Sequence, residues 1–391
     1  MGLLASPRRQ ATVAAWAAAV AIFSSVAGAE EIERHRPADG NAVVLALPAG
    51  VSRAQAMAAD AADPERAAND AEALLWLART TRDARYFGRA QALVEPWMAR
   101  QDATPRLLVA AADLAQQRHE FASAQQLLNR AIDADPKDGG ARLQRANVAL
   151  LLGEFDAARR DCLAVLQGGA TFPGTVCLAS TMTGPGSLQR ARQLLAPFDD
   201  AGAAATDAAR WLLLTESDLA LRDGDAQAAQ QYLARAHALD PDHEETRARL
   251  AEILIEQGDA ANALTLARGS TVSAALLVRR IRAASGIDTA EAASARRELD
   301  TLLAVGRRRG TTPHLREEGE LALYVDRDPA RALVLARQNF ALQKDTPDVR
   351  LLLGAALAAG DKPTLAELRR WLASTGFEDH VVAARLKAAG A

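Results

Sequence analysis

Aromatic residues make up only 4% of this 391-residue chain, and cysteine occurs twice. So few rings, with few β-branched runs, argue against a strand-rich architecture. Two cysteines exclude a disulfide-dense scaffold, and no Cys-x-x-Cys pair is present for redox or zinc chemistry. Lysine is confined to Lys137, Lys344, Lys362 and Lys387, the net charge is −3, and no basic block suits a phosphate backbone. Nucleic acid is therefore not an expected partner. Gly-rich phosphate loops, His-Glu-x-x-His and Gly-x-Ser-x-Gly are missing as well. The six histidines are scattered. His237 and His243 flank Leu239-Asp240-Pro241 at a spacing that fits no zinc pattern, while His119 beside Glu120 and His314 ahead of Glu317 and Glu318 fit solvated turns and helix starts. Neither catalytic residues, nor metal ligands, nor a cofactor are expected, and a hydrolase is the least favoured function.

A long apolar run occurs only at the N terminus. Arg8 and Arg9 precede an apolar stretch from Ala11 to Val26, and Ala27-Gly28-Ala29 supplies small residues for cleavage before Glu30. Residues 1–29 therefore read as an export signal, giving an exported, periplasmic protein without an integral span in the mature chain. The alternative is an uncleaved N-terminal anchor, for which the mostly alanine stretch falls short of the roughly 20 residues a span needs. Residues 30–63 form a lead-in with Pro37, Gly40, Pro48 and Gly50 around the run Ala42 to Leu47, followed by a short helix from Ser52 to about Ala61.

What the chain has in quantity is Ala and Leu, a helix-forming palette, and a period. Phe87, Phe121 and Phe155 stand 34 residues apart, as do Ala90, Ala124 and Ala158. Ala229 and Ala263, Gly224 and Gly258, and Ala332 and Ala366 keep the same step. A fixed step in this range signals stacked helical units extending one core along a line. The clearest copy predicts helices at about Arg106 to Arg118 and Phe121 to Asp133, stopped by Asp135-Pro136, since proline cannot continue a helix. The next predicts Arg142 to Leu152, a turn at Gly153, and Phe155 to Gln167.

Ala146, Gly153, Phe155 and Ala158 in one copy, Phe121, Ala124, Ala131 and Pro136 in the copy before, and Ser217, Gly224, Ala229, Ala236 and Pro241 in a later one resemble the tetratricopeptide repeat family. The resemblance implies an all-α, right-handed solenoid of about nine antiparallel hairpins over residues 64–391, with irregular hairpins near 170–206 and 270–312. Extra length in the first irregular hairpin is expected at Gly184-Pro185-Gly186, between helices at Thr175 to Met182 and Leu188 to Ala196. The second is expected at about Val272 to Ala284 and Ala290 to Val305. Pro347 to Ala359 and Thr364 to Ser374 form the last clear pair, with a capping helix at about Asp379 to Ala388. The early aromatic of the family's first helix is replaced by Leu108, Arg142 and Leu213.

In such arrays the first helix of each hairpin lines the concave face. The candidate groove residues are Arg106, Val109, Asp113, Gln116 and Gln117, then Leu143, Asn147 and Leu150, then Trp211, Leu214, Asp218 and Arg222. This mixed polar and apolar set suits an extended peptide or a helix. Asn147 sits where some members bind a peptide backbone or terminal carboxylate, but the companion lysines of that clamp are missing. Trp76, Trp97, Trp211 and Trp371 are expected between helices, and Arg307 to Arg309 with Gly310 form a short basic turn. Cys162 and Cys177 lie on adjacent predicted hairpins, so a disulfide and two buried thiols are both open. The function this implies is a non-enzymatic scaffold in the bacterial cell envelope, binding other envelope proteins or peptides. A binding module for a polysaccharide or small ligand is the alternative.

Overall fold

The computed structural model describes residues 63–390, except 82–84, 99, 101–102, 199–205, 270–272 and 309–313. The export signal, the lead-in run and the short helix before Asp63 lie outside the described residues, as do Arg309 and Gly310 of the basic turn. The chain divides into compact units at Met1–Ala56 and Met57–Ala391, and the described residues belong to the second.

Nine helical hairpins and a final helix follow one another among the described residues. They are α1 (Pro64–Thr81) with α2 (Arg85–Met98), α3 (Pro105–Gln117) with α4 (Phe121–Ala134), and α5 (Gly139–Leu152) with α6 (Phe155–Gln167). Next come α7 (Thr171–Ser180) with α8 (Ser187–Leu195), α9 (Thr206–Asp223) with α10 (Ala226–Leu239), and α11 (Glu244–Glu256) with α12 (Ala260–Ala267). The series ends with α13 (Ala274–Ala284) and α14 (Thr289–Arg308), α15 (Leu315–Glu320) and α16 (Pro329–Leu342), α17 (Thr346–Ala359) and α18 (Lys362–Thr375), and α19 (His380–Ala388). No strand occurs among the described residues, and the fold is the expected helical solenoid.

Short polar residues set the helix starts. Asp138, Asp225, Asp259, Asp328, Asp361 and Asp379 each accept a hydrogen bond from a first-turn backbone N–H, and Thr104 and Ser273 do the same. At α17 the cap is reciprocal, between Asp345 and Asp348. The helix of the clearest copy ends at Ala134, immediately before the predicted stop. Gly153 takes a left-handed conformation, φ 77°, at the turn after α5. One period earlier the same slot holds His119, also left-handed at φ 57°, so the turn geometry persists without glycine.

Most of the repeated alanines are contact points between helices; Ala366 is only half-buried, with Leu365 beside it buried instead. Ala90, Ala124, Ala158, Ala229, Ala263 and Ala332 are fully buried. Ala191 in α8 and Ala295 in α14 are buried the same way, so the irregular hairpins keep the small residue although its step is lost. Cys162 of α6 and Cys177 of α7 are joined by a disulfide across a Cα–Cα distance of 5.4 Å, tying the third hairpin to the fourth. In α7 the helix begins at Thr171, ahead of the Thr175 expected, and its second residue pair includes Pro173, which the first turn tolerates because its N–H has no partner to lose. Between α7 and α8, Gly184 and Gly186 both take positive φ, at 85° and 72°.

Period alone gives no sign of what happens at the C-terminal end. The last hairpins turn back onto the middle of the stack. The Lys344 N–H donates to the Leu151 carbonyl at 2.7 Å, and the Gly184 N–H donates to the Gly376 carbonyl at 2.7 Å. Phe155 of α6 packs with Trp371 and Phe377, ring centroids 6.4 and 5.6 Å away, inside the core of the C-terminal hairpins. A Cβ on Gly376 would lie 2.9 Å from the Gly184 nitrogen, and Gly376 has φ 66°, so the approach requires glycine on two counts.

A candidate interaction face on the inner helices

The first helices of successive hairpins surround three hollows that share Asp345 in their walls. One, of about 400 Å3, is lined by Asn147 and Leu150 of α5, by Trp211, Leu214, Asp218 and Arg222 of α9, by Arg249 of α11, and by Lys344 and Phe377 from the returning C-terminal region. Six candidate residues from two hairpins thus meet at one place. A second hollow of about 290 Å3 takes in Gln116 and Gln117 of α3 with His119, Arg316 and Gln343. The largest, about 1020 Å3, has Trp76, Arg79 and Phe87 on one side and Arg210, His243, Arg249 and Arg279 on others.

The remaining candidates are placed otherwise. Arg106 faces α1, where it pairs with Glu72 and reaches Glu65 at 3.3 Å and Asn69 at 2.8 Å, so it staples two hairpins together. Asp113 pairs with Arg79. Val109 packs against the core of α3 to α5, and Leu143 packs beside the disulfide. Arg222 lines the first hollow but is only 3% exposed. It lies under the connection between α18 and α19: its Nε donates to the Glu378 carbonyl at 2.9 Å and its guanidinium stands 4.1 Å from the Phe377 ring centroid. Trp97 is buried as expected, but Trp76 is 60% exposed and lines the large hollow. Trp371 belongs to the aromatic group with Phe340, Phe155 and Phe377.

Charge on the inner face is mixed and largely paired. Arg249 meets Glu245 at 2.6 Å; burial works against its charge, but Glu245, Asp218 and Asp345 outweigh that and raise its pKa. Arg316 bridges Asp345 at 2.8 Å and Asp348 at 2.7 Å at the start of α17. Burial pushes Lys344 down, with Glu154 and Asp348 opposing. Burial also lowers Arg222, against the pull of Asp218, Asp379 and Glu378. Deeper still, Arg279 and Glu320 form a buried bidentate pair between α13 and α15. Among the described residues no group of three or more His, Cys, Asp or Glu is arranged to hold a metal, and no helix is long and apolar enough to cross a membrane.

Paired helices stacked at a repeating step, with alanine at the contacts and a lined inner face, define a helical-repeat interaction scaffold. Residues 220–270, spanning the end of α9 to just past α12, match the family signature described as tetratricopeptide repeat, and the paired helices on either side resemble further repeats of that kind. Similar solved structures include a thermophilic tetratricopeptide-repeat protein from Thermus thermophilus, 20% identical with TM-score 0.38 over 49% of this chain and 98% of that one. A tetratricopeptide-repeat protein from Parabacteroides merdae is 13% identical with TM-score 0.38, over 73% of this chain and 99% of that one. Human IFIT1, seen as a dimer with PPP-AAAA, is 15% identical with TM-score 0.46, over 81% of this chain and 73% of that one. No curated protein matches the sequence. Repeats of this family are protein-interaction scaffolds and generally carry no catalytic activity of their own.

Proposed function

We propose that this protein is a non-enzymatic adaptor of the bacterial envelope that takes a segment of a partner protein on the inner face of α5 and α9. The observation that carries this reading is the convergence of Asn147, Leu150, Trp211, Leu214 and Asp218 on one hollow of about 400 Å3. Its walls combine apolar and aromatic surface with a few polar groups, the composition expected of a peptide site. Export rests on the N-terminal sequence pattern, and the partners are accordingly envelope proteins or peptides. A photo-crosslinking residue placed at Leu214, compared with one at Val334 on α16, which is 56% exposed, tests the reading in the native envelope fraction. A recurrent protein adduct from position 214 alone supports it. Adducts from position 334 only, or none from either, would remove this face from consideration.

The second reading, a binding module for a polysaccharide or small ligand, draws support from Trp76, whose exposed ring lines the largest hollow as a sugar-stacking platform would. Retention of polysaccharide by the purified protein, lost on Trp76→Ala, would favour that reading.

A further inference from the structure

The connection between α18 and α19 sits on the inner face as a ligand would. Three consecutive residues are held by groups from elsewhere in the chain. The Gly376 carbonyl accepts from the Gly184 N–H at 2.7 Å. The Phe377 ring lies against the Arg222 guanidinium, 4.1 Å from the ring centroid. The Glu378 carboxylate accepts from the Gly186 N–H at 3.1 Å, the Ser187 hydroxyl at 2.8 Å and the Leu188 N–H at 3.2 Å, all at the start of α8, and its own carbonyl accepts from Arg222 Nε. Donors at a helix N-terminus and a cation over a ring make one continuous receptor.

The next residue faces the other way. Asp379 caps α19 through the Val382 N–H at 2.9 Å and meets Arg350 of α17 at 3.2 Å. The chain thus changes allegiance between Glu378 and Asp379. Phe377 is buried against Phe155 and Trp371, so lifting residues 376–378 uncovers an aromatic slot that an incoming ring of the same kind would refill. The fit is also incomplete. Arg222 is 3% exposed, yet its Nη2 has no hydrogen-bond partner. A buried donor left unsatisfied is costly, and an occupant with one more acceptor within reach would hold this site better than the chain's own segment does.

We propose that Arg222 and the start of α8 form a receptor for an aromatic residue followed by an acidic one, that Phe377 and Glu378 fill it in this state, and that a partner segment of the same chemistry enters by displacing them. This rests on the adaptor reading above and gives its partner a chemical identity. The tethered segment competes at the high effective concentration of an intramolecular ligand, so the closed protein admits only partners that present the motif well.

The test uses a fluorescein-labelled peptide of residues 374–380, Ser-Thr-Gly-Phe-Glu-Asp-His, followed by anisotropy against the purified protein. Wild type binds it weakly. The Phe377→Ala/Glu378→Gln variant, with its own occupant weakened, binds at least tenfold more tightly, and a peptide with Ala in place of Phe loses that gain. Adding Arg222→Ala to the double variant returns binding to the wild-type level. Circular dichroism checks that each variant keeps its helices. Should a variant unfold, the wild-type protein suffices: excess peptide speeds hydrogen exchange in α19 while the amides of Gly186 and Leu188 stay protected. Equal peptide affinity in wild type and a folded double variant, or unchanged α19 exchange under excess peptide, overturns the proposal. If Leu214 still crosslinks to a protein partner in that case, the adaptor reading survives and only the motif falls; loss of both removes the inner face as a site.

Discussion

Removing the negative charge of Glu378 while keeping its shape isolates the clasp between the chain's end and its middle. The carboxyl is drawn two ways: burial opposes its charge, but bonds from Ser187, Leu188 and Gly186, then His380, prevail and hold it at about 2 against an ordinary 4.5. At about 1.4 kcal/mol per tenfold change in proton affinity, that depression corresponds to roughly 3 kcal/mol of preference for the closed, ionised state. The side chain remains 18% exposed, and screening by solvent reduces the usable value to about 2 kcal/mol. Glu378→Gln should therefore raise the local opening constant about thirtyfold at neutral pH, read as faster hydrogen exchange at Gly186 and Leu188 by mass spectrometry of residues 183–190. Because the folded pKa lies below the unfolded one, this stabilisation is fully present above about 4.5 and is lost as pH falls from there through about 2. The ratio of exchange rates between variant and wild type should shrink toward one across that window. The nearby Arg222 stays charged throughout, and His380 is common to both proteins, so the ratio reports Glu378. Identical exchange at neutral pH, or a ratio that does not change on acidification, would refute the reasoning.

Other perturbations probe separate parts of the molecule. Cys162→Ala/Cys177→Ala should lower stability by about 3 kcal/mol, since the bond closes a loop of sequence separation 15; urea denaturation of oxidised and variant protein measures it, and superimposable curves would count against it. Glu320→Ala should cost about 3 kcal/mol, the low end for breaking a buried pair, because Arg279 keeps Glu252 at 3.1 Å, whereas Arg279→Met/Glu320→Leu should recover most of the loss, a contrast that thermal melts can resolve. Gly376→Ala should open the seam, because the left-handed conformation alone costs about 1–2 kcal/mol and the new methyl meets the Gly184 nitrogen; exchange at Gly184 that remains as slow as in wild type would contradict the seam.

How much of this was legible in the sequence depended on whether the signal was local. Hairpins with Gly153, Gly224 and Gly258 at their turns and Ala at their contacts declared themselves by period, because turn geometry and close helix approach both restrict the residue types allowed. The hairpin of α13 and α14 lacked the aromatic and the glycine but retained Ala295, fully buried, which marks the same contact at an altered step. Register also placed Asn147, Leu150, Trp211, Leu214 and Asp218 on one face. It misjudged Trp76 and gave no sign of what lies against Arg222. Periodicity reports which way a side chain points from its own helix, and is silent on whether another part of the chain, more than a hundred residues away, arrives to cover it. Phe377 covers Arg222, and Trp76 lines the largest hollow. The clues to the seam were Gly376 and the Phe-Glu-Asp that follows it, which helix pattern alone reads as an ordinary cap.

The return of the C-terminal hairpins has a mechanical consequence. A linear array of repeats stretches as a spring does, each unit yielding independently, and its ends report nothing to each other. Here the bonds from Lys344 to Leu151 and from Gly184 to Gly376 close the run of units between them into a loop. Extension of any hairpin within that loop strains the same two joints. The units from α5 to α18 must therefore yield or hold together.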